Sequence, residues 1–186
     1  EQGSSAHRAA VLNSALGGAA IDSVEPFELA KATGEAFAAA GDLGKAVELL
    51  RRALLFDPGS RELVTRVDQL LAEQGAPEER LGLYLTALEQ EADPVRRREL
   101  LHALSSLQSR ELGDTAAAAQ TLKQALAEDP RDRSAHDALM DLLTRASDLS
   151  GLVAELTRVV EFAEGERKTL ALLRLAELSE QRGDAG

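Results

Sequence analysis

The chain has 186 residues, of which 44% are apolar, and its 32 acidic and 21 basic residues give a formal net charge of −11. This excess of acid disfavours non-specific binding of nucleic acid or of anionic membranes, and the absence of cysteine excludes disulfides, thiolate nucleophiles and cysteine-ligated metals. Aromatic residues make up only 3%, so the core must consist of Leu, Val and Ala. That composition suits close packing of helices and suits strands poorly.

No apolar run reaches the roughly 18 residues of a membrane span, and no signal peptide precedes the first predicted helix. We therefore expect no membrane insertion and a cytoplasmic location. The sequence begins with Glu1 and stops just after Gly183-Asp184, a dipeptide that opens a helix elsewhere in the chain. We expect it to be a segment of a longer repeat protein.

Residues 1–25 predict a short helix followed by a linker. Apolar residues at helical spacing place the helix at about 6–16, with Ser4 or Ser5 as its N-cap and two glycines at its end. Pro26 then suits the first turn of the next helix.

From residue 26 onward, the predicted helices form pairs that recur about every 34 to 38 residues. The predicted helices are 26–40 and 43–56, 61–74 and 77–91, 95–111 and 115–128, 133–146 and 149–164, and a single helix at 166–182. The corresponding repeats are about 27–60, 61–97, 98–132, 133–167 and, in part, 168–186. A fixed period of this size indicates stacked helix pairs that bury their apolar faces against neighbouring pairs. The sequence therefore predicts an all-α solenoid over 26–186.

The turns within the pairs carry a recurring signal, Gly followed by Asp, at 41–42, 113–114 and 183–184. Gly adopts the left-handed conformation that closes one helix, and Asp accepts hydrogen bonds from the free amides at the start of the next. In the second pair, Ser60 is predicted to open the first helix and Pro77 to open the second. Turns this short make the two helices of a pair antiparallel.

Equivalent positions of the repeats supply the predicted core. They are Ala30, Thr33, Phe37, Ala46, Leu50 and Ala53; Val64, Val67, Leu71, Tyr84 and Ala87; Leu101, Leu104, Gln108, Ala118, Leu122 and Ala125; His136, Leu139, Met140, Leu143, Leu152, Leu156 and Val159; and Leu172, Leu175 and Ala176.

These residues resemble the tetratricopeptide repeat family, in a divergent bacterial form, from Phe27 to Gly183. The family pattern is W-x2-L-G-x2-Y, then A-x3-F, then Ala and Pro. The first repeat keeps Gly34, the aromatic Phe37, the small residues Ala46 and Ala53, and Pro58.

The chain departs from this pattern in three respects. It has no Trp. Asp68 and Met140 stand where a small residue is usual, and Arg80 and Leu152 replace a small Ala.

The resemblance implies a right-handed superhelix whose first helices line a concave groove that binds a peptide, a helix or a partner domain. The positions that it places in the groove are Glu28, Lys31, Glu35, Glu62, Thr65, Gln69, Glu99, His102, Ser106, Ser134, Asp137 and Asp141. This lining is mixed and leans acidic. The version of the fold that clamps a carboxylate tail uses paired Lys, Asn and Arg, and Glu35 stands in the place of that Asn, so we do not expect the clamp.

The sequence thus predicts a non-catalytic protein–protein interaction scaffold with a protein or peptide partner and no cofactor, metal or catalytic residue. One alternative is a regulatory or coupling segment of a larger sensor or enzyme. Another is a self-association module that forms homo-oligomers through open solenoid ends, because Leu170, Leu173 and Leu178 lie beside the predicted core of the last helix.

Three features suggest chemistry and are weighed against simpler explanations. His102 and His136 occupy nearly equivalent places and could approach one another, but an imidazole also fills gaps between paired helices. The carboxylates of Asp137 and Asp141 share a helix face, which is usually a solvated surface. The run 96–98 of three arginines could dock a phosphate or an acidic partner, but we expect it to pair with acids such as Glu91, Asp93 or Glu99.

Overall fold

A computed structural model describes the backbone of residues 2–18 and 24–183 and the side chains of residues 5–14 and 27–180. These residues form ten α-helices and no strand. The helices are α1 (Gln2–Gly18), α2 (Val24–Ala39), α3 (Leu43–Phe56), α4 (Arg61–Glu73), α5 (Pro77–Gln90), α6 (Pro94–Arg110), α7 (Thr115–Glu128), α8 (Arg133–Arg145), α9 (Leu149–Phe162) and α10 (Gly165–Arg182). Among the described helices, none is long and apolar enough to cross a membrane.

The helices belong to two compact units, Glu1–Ala92 with α1 to α5 and Asp93–Gly186 with α6 to α10. Within each unit, every helix packs against the helix that precedes it and the helix that follows it in the chain. Each unit is therefore a stack of consecutive helices, as a repeat protein requires.

The predicted helices from residue 26 onward agree with the observed ones to within two residues at each end. The first helix is longer than predicted, because it begins at Gln2 rather than near residue 6. Ser4 and Ser5 therefore lie inside α1, and the prediction that one of them caps it is wrong. Nothing in the first residues after Gln2 blocks a helix, since no proline is present there.

The Gly-Asp turns confirm the sequence-based prediction where the structure describes them. Gly41 and Gly113 have φ angles of 84° and 69°. The side chain of Asp42 accepts a hydrogen bond from the Lys45 amide, and that of Asp114 accepts one from the Ala117 amide. At the end of α10, the glycine at 183 is also left-handed, with φ 71°, and the aspartate at 184 lies outside the described residues.

The remaining turns use related chemistry that the sequence pattern did not reveal. Ser147 adopts a φ of 55° without being glycine, and Asp148 then accepts a hydrogen bond from the Gly151 amide at 2.8 Å. Ser60 precedes α4 as predicted, but its side chain makes no capping hydrogen bond. Pro77 begins α5 as predicted.

The predicted core of the first four repeats is buried, apart from the half-buried Met140. In α10 the predicted register is wrong. Leu172 is 48% exposed, whereas Ala171 and Leu178 are 5% and 1% exposed. Leucines at 170, 172, 173, 175 and 178 satisfy helical spacing in two registers, so the spacing alone could not choose between them.

Gly34 marks the closest approach of α2 and α3. A Cβ atom added there would lie 2.8 Å from Leu50 Cγ and 3.3 Å from the Ala46 carbonyl oxygen. Leu50 and Ala46 are both completely buried, so neither has free space to move into. The glycine is therefore required by packing at this position.

Candidate interaction surface

In the first unit, ion pairs join the adjacent first helices α2 and α4. Lys31 Nζ lies 3.0 Å from Glu62 Oε1. Arg66 donates to both carboxylate oxygens of Glu35, with Nε 2.9 Å from Oε1 and Nη2 2.9 Å from Oε2. Each pair joins residues 31 positions apart. Four charged side chains are thereby held in register across two repeats.

The hydrogen bonds also secure the charges of the two cations. The hydrogen bond to Glu62 raises the pKa of Lys31, and the hydrogen bond to Glu35 raises the pKa of Arg66. Both pairs are partly exposed, so their contribution to the stability of the unit is small, about 0–1 kcal/mol each. Their main consequence is to fix the orientation of the side chains.

We call the surface made by Glu28, Lys31, Glu35, Glu62, Thr65 and Gln69 the first-helix face of unit 1. Thr65 Oγ1 donates to the carbonyl of Arg61 at 2.8 Å. The side chains of Glu28 and Gln69 are exposed and make no hydrogen bond or ion pair with the described residues. Of the six predicted residues, Glu28 and Gln69 therefore keep hydrogen-bonding groups that no internal contact uses. Lys31 and Glu35, in contrast, are already ion-paired.

The corresponding first-helix face of unit 2 comprises Glu99, His102, Ser106, Ser134, Asp137 and Asp141. His102 Nε2 lies 2.7 Å from Asp132 Oδ2, and Asp132 Oδ1 accepts from the Ala135 amide at the start of α8. Burial alone would raise the pKa of Asp132, but the hydrogen bonds from His102 and Ala135 outweigh it and lower that pKa. His102 thus anchors α6 to the N-terminus of α8.

The two aspartates on this face have separate partners. Asp137 Oδ1 accepts from Arg167 Nη2 of α10 at 2.9 Å, and Asp141 pairs with Arg145 on its own helix at 2.9 Å. They do not form a joint carboxylate site. The side chains of Ser106 and Ser134 are exposed and have no polar partner in the described part of the chain.

His136 lies in the core of the second unit, away from solvent. Its Nδ1 contacts Glu155 Oε1 of α9 in a short hydrogen bond, and its Nε2 donates to the Pro130 carbonyl at 2.9 Å. Its ring centroid lies 4.9 Å from that of Phe162, and Arg158 donates to the second carboxylate oxygen of Glu155. The imidazole therefore joins the helices of a pair, as the simpler explanation proposed.

The two histidines thus have different carboxylate partners, Asp132 for His102 and Glu155 for His136. Among the described side chains, no group of three or more His, Asp or Glu could hold a metal ion.

The arginine run at 96–98 pairs with acids, and two of these acids lie outside the helix that carries the run. Arg97 lies 2.9 Å from Glu128, and Arg98 makes a short contact with Asp129. Arg96 Nη1 lies 3.9 Å from Oε2 of Glu99, one of the acids expected. The acids at 128 and 129 come from the end of α7, so only the folded arrangement reveals them.

A cavity of about 460 Å³ lies between α8, α9 and α10 beside the first-helix face of unit 2. Its lining residues are Arg133, Asp137, Met140, Leu156, Val159, Glu166, Arg167, Leu170 and Ala171. Only Asp137 among the predicted site residues contributes to it.

No family model and no curated protein matches this chain. Solved structures do match it. A tetratricopeptide repeat protein from Parabacteroides merdae has a TM-score of 0.55 at 24% identity, and the match covers 85% of this chain and 60% of the other. PilF of Pseudomonas aeruginosa has a TM-score of 0.51 at 21% identity, with 86% and 71% covered. YrrB, a tetratricopeptide repeat protein described as having an unusual peptide-binding site, has a TM-score of 0.50 at 14% identity, with 84% and 78% covered.

The fold is that of tetratricopeptide repeat proteins. This confirms the predicted all-α helical solenoid. The chain spans about 60% of the length of the Parabacteroides merdae structure. On this tetratricopeptide fold, Lys31, a cation of the predicted groove lining, is ion-paired with Glu62, and Glu35 is ion-paired with Arg66.

Sequence reasoning missed the cations Arg66 and Arg167 and the buried acid Glu155. Glu155 carried a signal, because it lies within the apolar stripe of Leu152, Leu156 and Val159 at helical spacing. A charged residue in such a stripe indicates a buried partner, and His136 occupies the matching stripe of α8. The two arginines gave no comparable signal, since nothing in the sequence pattern distinguishes them from the other charged residues of the helices.

Proposed function

We propose that this protein is a non-catalytic interaction scaffold that binds a peptide, a helix or a partner domain on its first-helix faces. The observation that carries the proposal is the ordered set of ion pairs between consecutive first helices. Lys31–Glu62 and Glu35–Arg66 connect α2 to α4, and Asp137–Arg167 connects α8 to α10. A binding surface with fixed side chains loses less conformational entropy on association than a surface of mobile ones.

Unused hydrogen-bonding groups lie between these fixed pairs. The side chains of Glu28 and Gln69 in unit 1 and of Ser106 and Ser134 in unit 2 are exposed and make no hydrogen bond or ion pair with the described residues. They can donate to or accept from a partner's backbone without first breaking an internal contact. The peptide-binding site attributed to YrrB, which has a similar fold, supports the same use of the fold here. The cytoplasmic location suggested by the sequence stays a prediction.

The test is capture of partners by the purified chain, followed by single substitutions. Gln69→Lys changes the first-helix face of unit 1, and Gln120→Lys is the matched control, because Gln120 is an exposed glutamine of the second helix α7. Ser106→Lys provides the same probe in unit 2. We expect a captured partner to be lost with Gln69→Lys or Ser106→Lys and retained with Gln120→Lys. Loss of the captured partner with Gln120→Lys alone would show that the binding surface lies on the second helices.

Self-association is a second candidate function, favoured by the exposed apolar residues of α10. Leu170 and Leu173 are 58% and 57% exposed, as predicted, whereas Leu178 is only 1% exposed and belongs to the core. Sedimentation of the chain at high concentration tests this candidate. A strict monomer excludes it, and an oligomer that dissociates with Leu173→Glu supports it.

A further inference from the structure

His136 has an acceptor at each of its two ring nitrogens. Nδ1 contacts Oε1 of Glu155, and Nε2 lies 2.9 Å from the carbonyl oxygen of Pro130. A carbonyl oxygen can only accept a hydrogen bond, so Nε2 must carry a proton, and a neutral imidazole then has no proton left for Nδ1. The contact between Nδ1 and Glu155 therefore needs one proton more than a neutral histidine and an ionised glutamate hold together.

The second carboxylate oxygen of Glu155 indicates where this proton lies. Oε2 accepts a hydrogen bond from Arg158 Nη1 at 3.1 Å. A positive charge at that distance favours the ionised carboxylate, so the proton belongs on His136. Both carboxylate oxygens of Glu155 then accept hydrogen bonds, and both ring nitrogens of His136 donate them.

Burial favours the protonated pair. The side chains of His136 and Glu155 are 3% and 2% exposed. With the proton, the charges of the imidazolium and the carboxylate cancel, whereas without it the buried pair has a net negative charge. Each neutral form of the ring would also turn a lone pair towards an acceptor, either Glu155 or Pro130. Loss of the proton therefore breaks one of the two contacts of the ring.

The other charged side chains near the ring are Lys123 of α7, Arg158 and Glu161 of α9, and Asp132 at the start of α8. The first three are exposed, so water and salt screen their effect on the buried ring. The carboxylate of Asp132 is hydrogen-bonded to His102 and to the Ala135 amide. Glu155, in direct contact with the ring, therefore has the largest influence on its protonation.

We propose that His136 is an imidazolium in the folded chain and that its proton makes the stability of unit 2 depend on pH. Through this ring, α8 is bonded to α9 at Glu155 and to the turn between α7 and α8 at Pro130. The inference concerns unit 2 itself and stands whether or not its first-helix face binds a partner.

The direction of the pH dependence follows from the unfolded chain, in which an ordinary histidine loses its proton above a pH of about 6.5. The folded state keeps that proton to a higher pH. Its contribution to stability is therefore complete below about pH 6.5 and falls as the pH rises, until the folded pair has also lost the proton. Over that range, the unfolding equilibrium constant rises about tenfold for each pH unit.

The ring nitrogens report the protonation state directly. The chain has three histidines, so ¹⁵N-labelled imidazoles give three sets of signals, which His7→Gln and His102→Gln assign. At about pH 8, we expect two protonated ring nitrogens at His136 in the full folded chain and one at the exposed His7. A single protonated nitrogen at His136 overturns the proposal.

Glu155→Gln tests the need for the proton with little change of shape. A glutamine amide can donate to Nδ1, so a neutral ring with its proton on Nε2 satisfies both contacts. We expect one protonated nitrogen at His136 in this variant. Asp132→Asn makes the same change at the carboxylate that contacts His102, and it should leave both nitrogens of His136 protonated. Equal loss of the ring proton in the two variants overturns the role given to Glu155.

Urea denaturation at several pH values measures the effect on stability. Met140 is the single methionine and lies in α8, so its ¹³C-labelled methyl group follows unit 2 within the full chain. From about pH 7 to 8.5, we expect the ratio of the unfolding constants of the wild type and Glu155→Gln to rise about tenfold for each unit. Titrations common to both chains cancel in this ratio. A constant ratio overturns the proposal, and if Glu155→Gln does not fold, the ring nitrogens of the wild type decide alone.

Discussion

Asp68 and Arg80 form an ion pair between α4 and α5, with Asp68 Oδ1 2.7 Å from Arg80 Nε. These two residues occupy the positions that Gly34 and Ala46 hold in the first repeat, where the helices meet through close apolar contact. Their side chains are only 19% and 13% exposed. Two departures from the repeat pattern thus compensate one another, because a charged link replaces the contact of two small residues.

A double-mutant cycle tests this compensation. Asp68→Ala removes the acceptor of Arg80 Nε in a mostly buried place, and we expect it to lower the free energy of unfolding of unit 1 by about 1–3 kcal/mol. The double variant Asp68→Ala with Arg80→Ala should lose less than the sum of the two single losses, by about 0.5–3 kcal/mol. Urea denaturation followed by circular dichroism measures all three. Strict additivity would show that the pair contributes nothing beyond its separate members.

Tyr84, the single tyrosine of the chain, reports on the same pair. Burial raises the pKa of its phenol to about 12, and the negative charge of Asp68 adds to the shift. Because the folded-state pKa is raised, the neutral phenol favours folding, and this contribution is complete below the ordinary value of 10.0 and lost as the pH rises towards about 12. Ultraviolet titration of the phenolate measures the midpoint. Asp68→Asn should lower it, and a midpoint near 10.0 in the folded wild type would contradict the burial of Tyr84.

The helices and most of the core followed from the sequence because they depend on local patterns. The left-handed turns require glycine at positions 41 and 113. The aspartate that follows each glycine accepts a hydrogen bond from a free amide in the first turn of the next helix. The same logic failed at Ser147, which adopts a left-handed φ that the sequence pattern assigns to glycine. It also failed in α10, where a leucine-rich run fits two registers and only packing against α9 selects Ala171 and Leu178.

The side-chain partners of the candidate surface could not be predicted in the same way. Lys31 and Glu62 are 31 residues apart, and Arg98 and Asp129 are separated by the same distance in the chain. The pair Lys31–Glu62 joins two first helices, α2 and α4, whereas the pair Arg98–Asp129 joins α6 to the residue that follows α7. Their meeting depends on how one helix pair is placed on the next and on which rotamer each long side chain adopts. The repeat period places these residues near one another but does not determine which charges pair.

Core leucines of the second unit provide a direct test of the stacked arrangement. Leu122 and Leu139 are 1% and 0% exposed, so truncation of either to Ala should lower the free energy of unfolding by about 2–5 kcal/mol. Leu173→Ala is the control, because Leu173 is 57% exposed, and should change it by no more than about 0.5 kcal/mol. Chemical denaturation distinguishes the two classes. Losses well below 1 kcal/mol at both core sites would contradict their burial.

Gly34 and Gly82 form a matched pair of helical glycines with opposite expectations. Gly34→Ala would place a methyl group 2.8 Å from the buried Leu50, and we expect a loss of about 1–3 kcal/mol. A methyl group at Gly82 meets no atom within 4 Å, so Gly82→Ala should stabilise α5 by about 0.5–1 kcal/mol through its higher helix propensity. Thermal denaturation of both variants measures the sign of each change in stability. A gain in stability with Gly34→Ala would disprove the close approach of α2 and α3.

The buried pair of His136 and Glu155 offers the sharpest test of how a polar contact is accommodated in this core. Their side chains are 3% and 2% exposed. In the first repeat, the equivalent positions are held by the apolar residues Ala30 and Leu49. Glu155→Leu alone leaves His136 Nδ1 without its acceptor in a place that water does not reach. We expect this single change to lower the free energy of unfolding by about 3–5 kcal/mol.

The double variant His136→Ala with Glu155→Leu reproduces the apolar pair of the first repeat. It removes both buried polar groups together, and replacement of a buried polar pair by apolar residues is often neutral or stabilising. We therefore expect the double variant to be more stable than Glu155→Leu, although the smaller Ala leaves a void beside Phe162 that keeps it below the wild type. Denaturation midpoints of the wild type, the single variant and the double variant measure this order of stability. If the double variant is the less stable of the two, His136 stabilises the core through its packing rather than through its bond to Glu155.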